Sequence, residues 1–181
     1  VKFIKRESFL WNIYGSGVLL LLGLCFLLFP LFQITDITLV FRLFLAVFAI
    51  VSVIMFVSQY KNKEYSSFSI FCISILLLIG SFLFPLTVEP KNLALSLLVW
   101  ILFVSLAKIK RADFFHDRKS KIWCLEISLF FLFFLNGVCT CVNFAFSEVT
   151  SVLCFGYFTF LYGVLEIQES LLLYFTKGKL K

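Results

Sequence analysis

The stretch LLLLGLCFLLFPLF, Leu19 to Phe32, returns almost unchanged as ILLLIGSFLFPL, Ile75 to Leu86. Neither copy carries a group that does chemistry, and both break at Phe-Pro-Leu. About 20 apolar residues, at a helical rise of about 1.5 Å each, cross a hydrocarbon core about 30 Å thick. Proline lacks the N–H that an inner turn needs, and its ring clashes with the turn before it. Each run therefore reads as the outward-going helix of a hairpin that stops at Pro30 or Pro85. A weaker copy, LFFLFFLNGVCTCV (Leu129–Val142), places Gly137 near the position of Gly80 and has no proline.

Working outward from these runs, the apolar pattern predicts six spans, near 11–32, 36–58, 66–86, 92–108, 122–144 and 149–175. The fourth is short and the sixth long. Continuous hydrophobicity excludes barrel strands, which alternate over about ten residues. The expected fold is an all-α integral membrane protein, one domain over 1–181, with six transmembrane helices as three tandem helical hairpins (9–60, 66–110 and 121–176). Parallel repeats of this kind are related about an axis along the membrane normal. Composition agrees: 62% of residues are hydrophobic and 14% charged, against about 45–50% and about 25% in soluble domains. That surplus has to face lipid.

The net charge of +6 does not point to nucleic acid, because the basic residues flank apolar runs instead of interleaving with exposed aromatics. Fourteen of the sixteen Lys and Arg residues lie near the N-terminus, at 61–63, at 108–121 or at 177–181. With six spans all four clusters share one side, which the positive-inside rule makes the cytoplasm. Both termini are then cytoplasmic, and Lys2, Lys5 and Arg6 precede a retained first span rather than a cleaved signal. Trp11, Tyr14, Tyr60, Tyr65, Trp123 and Tyr174 mark the same boundary. The outer turns carry Asp36, Glu89 and Glu148, each near the start of an even-numbered span. An acid there complements the positive end of a helix dipole, and Ser147 is placed to cap. An external cation site built from these acids is the alternative.

All six cysteines fall in apolar runs, where cysteine packs as a small hydrophobe. Cys139-Thr-Cys141 lacks the two-residue spacing of redox and zinc motifs, and the one histidine offers no cluster. No cofactor or metal is expected. No nucleophile elbow, phosphate-binding glycine loop or metalloprotease helix appears. The expectation is a non-enzymatic protein whose partners are the lipid bilayer and either a second copy or another membrane protein.

Ionisable groups inside a bilayer cost about 2.5–3.5 kcal/mol on insertion scales, so each needs an account. Glu126 lies about 7 Å inward of Lys121, and Glu166 and Glu169 about 16 and 12 Å inward of Lys177. Glu166 and Glu169 share one helix face, and Glu126 and Glu169 fall at similar depth on neighbouring helices. These three acids form a candidate proton-titrating cluster in the cytoplasmic half of the bundle. The competing account makes them interhelical glue, bonded to Gln168, Ser170, Arg118 or Lys121. Arg42, on the outer side of the second span, either snorkels or pairs with Asp36 or Glu148, or else holds a ligand. His116 is a lone histidine in the charged loop Arg111–Arg118. Gly156 and Gly163 share a face of the last helix, where they permit close helix approach.

Three elements, Gly23 through Pro30, Gly80 through Pro85 and Tyr162-Gly163-Val164-Leu165-Glu166, resemble the HdeD family of small bacterial acid-resistance membrane proteins. The resemblance covers nearly the whole chain. It departs in the shorter second Gly-to-Pro spacing, the missing third proline and the 26 phenylalanines. It implies a multi-pass protein of the bacterial inner membrane, with a role in acid stress and no defined molecular mechanism. Two other functions fit the same residues: a small proton-coupled transporter or permeation protein, and a membrane assembly subunit.

Overall fold

A computed structural model describes residues 6–59, 89–117, 122–144 and 146–176, with isolated positions at 72, 75, 76 and 79. But for those isolated positions the predicted third span, with Gly80 and Pro85, lies outside the described residues. Among the described residues five long helices follow in order: α1 (Arg6–Leu28), α2 (Ile37–Gln59), α3 (Pro90–Asp117), α4 (Ile122–Asn143) and α5 (Glu148–Thr176). No strand occurs among the described residues. Each helix contains a segment long and apolar enough to cross a bilayer, with mean hydropathy from 1.4 to 2.7. The protein is a helical, multi-pass membrane protein.

Local chemistry sets the helix ends. α1 gives way at Leu28 to a 3-10 turn, Phe29–Phe32, with Pro30 in its first positions. The chain then reverses at Gln33, which has φ of 62° and donates its N–H to the Pro30 carbonyl at 3.1 Å. Pro30 thus ends the helix, as its sequence context predicts. Asp36 caps α2: its Oδ1 accepts from the Thr38 N–H at 2.8 Å and the Leu39 N–H at 3.3 Å. Ser147 caps α5, accepting from the Thr150 N–H at 3.3 Å, with Glu148 in the first turn. Pro90 opens α3, where its missing N–H costs nothing. Replacing Asp36 by Ala is expected to lower stability by about 1 kcal/mol, and by much less when Asn replaces it, read from denaturation in detergent.

One boundary differs clearly from the sequence-based expectation. The predicted fourth span ends at 108, but α3 continues to Asp117 and is 28 residues long, close to the 29 of α5. The segment containing His116, expected to be a loop, is the last part of that helix. The reason is visible in the buried face of α3, where Leu97, Ile101, Ser105, Lys108, Ala112 and Phe115 recur at helical spacing. Apolar periodicity carries the helix through its charged stretch.

The helices pair unequally. α1 and α5 make the most extensive contact and run antiparallel, Leu27 meeting Gly156, Leu20 meeting Gly163, and Phe160 meeting Gly23. The register holds as far as Phe9 and Tyr174, whose rings stack at 4.2 Å. α3 with α4 is the second close pair, and α5 touches α4 along a smaller surface. Between the pairs lies an aromatic layer centred on buried Trp100. Its indole sits edge-on to Phe44 at 5.1 Å, Phe48 at 5.2 Å and Tyr162 at 5.5 Å, and Phe133 closes on Tyr162 at 5.2 Å.

Candidate functional site

Beyond the aromatic layer, toward Asp117 and Thr176, the core turns ionic. Lys108 extends from α3, and its Nζ lies 2.6 Å from Glu166 Oε1 and 2.6 Å from Glu169 Oε2, both on α5. The three-residue spacing of the glutamates puts both carboxylates on the face that meets α3. The side chains of Lys108 and Glu169 are 6% and 2% exposed, and that of Glu166 is 26% exposed. One ammonium therefore donates to two carboxylates, the charge-assisted pairing with the strongest hydrogen bonds. The Phe133 ring adds a face 6.0 Å from the same Nζ.

Glu126 is 1% exposed and belongs to the inward stripe of α4 with Leu129, Phe133, Gly137 and Thr140. It lies two turns from Phe133, as Glu169 lies two turns from Tyr162, and Lys108 is just over two turns from Trp100. Because Trp100, Phe133 and Tyr162 touch one another, helix register puts Glu126 at the level of the lysine bridge. The three predicted glutamates thus fall in one layer of the bundle.

Lys108 was missed by the sequence reading, which grouped it with the basic loop residues and looked to Arg118 and Lys121 for counter-charges. The signal lay downstream, in Ala112 and Phe115, which extend the buried face of α3 past the lysine.

The remaining candidates lie apart. Arg42 is half-buried on α2 beside Phe41 and Phe44, whose rings meet Phe155. From Phe155 to Glu169 is about 21 Å along α5, so Arg42 does not join the cluster. His116 is exposed near the end of α3, its ring edge-on to Trp123 at 5.2 Å. Ligand atoms of Asp113, His116 and Asp117 come within 4.8 Å of one another on that exposed surface, as three- and four-residue helical spacing dictates. The cysteines are free thiols. Gly156 and Gly163 take the predicted role of close approach, because a Cβ on Gly163 would stand 2.6 Å from the Leu20 backbone nitrogen.

Chemically, the arrangement holds a cation in an apolar core by means of groups that acid neutralises. Protonating either carboxylate removes one charge-assisted bond from Lys108. Protonating both leaves the ammonium without those two counter-charges. No protein family, curated protein or solved structure matches this chain.

Proposed function

We propose that this chain is a non-enzymatic protein of the bacterial inner membrane, of the HdeD type, that contributes to acid-stress tolerance. In this reading both termini face the cytoplasm, and the lysine bridge senses a fall in cytoplasmic pH. The observation that carries the proposal is the double pairing of buried Lys108 with Glu166 and Glu169. Trp100 against Phe158 and Tyr162 keeps α3 on α5 at the aromatic layer at any pH, whereas the carboxylate–ammonium contact beyond that layer releases on protonation. The six-span, three-hairpin arrangement belongs to the same proposal, with 66–86 as the third span. The aromatic layer around Trp100 walls the bridge off along the bundle axis, which favours a switch over a conduit for ions.

The test is survival of an acid challenge by a deletion strain carrying wild type or the Glu126→Gln, Glu166→Gln, Glu169→Gln triple variant, at matched membrane levels. Wild type is expected to protect, and the triple variant to survive no better than the deletion. Equal protection by both would reduce the acids to packing groups. No protection by wild type would remove the acid-stress reading.

A further inference from the structure

A groove on the outside of the α3–α4 pair stands apart from the bridge. Ile109 follows Lys108 in the chain, but it is exposed where the lysine is buried, so this wall of α3 faces away from the ionic core. The groove encloses about 250 Å³, and its two ends differ in chemistry. Ile109 of α3 with Ile127 and Phe131 of α4 lines one end, and Asp113, His116 and Trp123 line the other. Ile109 lies about 10 Å along α3 from His116, and Phe131 about 12 Å along α4 from Trp123. The edge-on contact of His116 with Trp123 at 5.2 Å sets the two polar ends side by side. The groove thus turns from apolar to polar along its length, as a lipid does from chain to head, with a tryptophan at the boundary.

Charge decides which head fits. Asp113 and Asp117 are exposed, and a carboxylate oxygen of each lies within 4.8 Å of the other and of a His116 ring nitrogen. Acids near the end of α3 oppose the helix dipole, which favours cations there. Among the described residues neither acid forms an ion pair, although exposed Lys110 stands one turn before Asp113. The helix gains nothing from these carboxylates, whereas a ligand cation does. A primary ammonium offers N–H donors to their oxygens, in charge-assisted bonds. A quaternary ammonium has no N–H to offer, and an anionic head is repelled. Lys110 gives the phosphate of a zwitterionic head its counter-charge.

We infer that the outer α3–α4 groove binds a zwitterionic phospholipid whose head carries a primary ammonium, the ammonium on Asp113 and Asp117 and an acyl chain along Ile109, Ile127 and Phe131. The probes are dioleoyl phosphatidylethanolamine, phosphatidylcholine and phosphatidylglycerol, added in equal amounts to the full chain in nonionic detergent and read by native mass spectrometry. Phosphatidylethanolamine should be retained roughly five-fold over phosphatidylcholine, the top of the range for an exposed ion pair. Asp113→Asn with Asp117→Asn should abolish that preference and leave phosphatidylcholine retention as it was. Ile127→Trp, which fills the apolar end, should lower the retention of both lipids. Equal retention of the two by wild type, which depends on no variant's folding, would overturn the assignment, as would an unchanged preference in the double variant. A preference for phosphatidylglycerol would also overturn it, giving the surface to the basic clusters. So would a dimer peak lost in the double variant, since a second copy would then fill the groove.

Discussion

Replacing Lys108 by Met will destabilise the protein by about 3–5 kcal/mol, because removing one partner of a buried ion pair deprives the other charge of that counter-ion. Two carboxylates each accept a hydrogen bond from this ammonium, at 2.6 Å. Methionine keeps the length of the apolar stem, so lost packing contributes little. The loss should shrink when the acids are removed as well. A Lys108→Met, Glu166→Gln, Glu169→Gln variant is expected to recover most of the loss, since neutral amides strand no charge. Exposed pairs contribute only about 0–1 kcal/mol, so the size of the single-variant effect reports burial directly. The measurement is denaturant titration in nonionic detergent followed by helical circular dichroism. If Lys108→Met unfolds at the wild-type midpoint, the bridge does not hold α3 to α5.

The second large effect lies in the α1–α5 contact. Gly23→Val should cost at least the upper part of the about 1–3 kcal/mol typical of overpacking, because the added Cβ meets the backbone of Phe160 and not a flexible side-chain end. Gly163→Val faces the Leu20 backbone in the same way, with a Cβ 2.6 Å from its nitrogen. Neither neighbour can move without shifting a helix along most of its length, since the register runs unbroken from Leu27 to Phe9. Gly17→Ala is the contrasting case. A Cβ there meets nothing within 4 Å, and the gain in helix propensity is up to about 1 kcal/mol. Thermal unfolding of the three variants in one detergent should therefore place Gly17→Ala at or above wild type and the other two well below it. Three similar melting curves would mean that α1 does not pack on α5 in this register.

Much of this architecture was legible because its physical causes are local. The length of the apolar runs specifies spans, Pro30 ends the first of them, and Asp36 and Ser147 start others by accepting from free N–H groups. Glu126, Glu166 and Glu169 stood out for a similar reason, since a carboxylate inside an apolar run is costly whatever surrounds it. Gly156 and Gly163 were readable as a surface for close approach, although nothing local named α1 as their neighbour.

What the tertiary structure decided is which groups meet. Lys108 sits where an apolar run turns basic, and hydropathy alone reads such a residue as the edge of a loop. Only the packing of α3 against α4 and α5 turns it inward to two carboxylates that lie 58 and 61 residues away in sequence. Sequence alone determined the class of the protein, where most of its described spans lie and which acids fall inside them. It did so because transfer into a bilayer is costed residue by residue. The pairing of α1 with α5 and the lysine bridge depend on contacts between distant segments, which no single apolar run encodes.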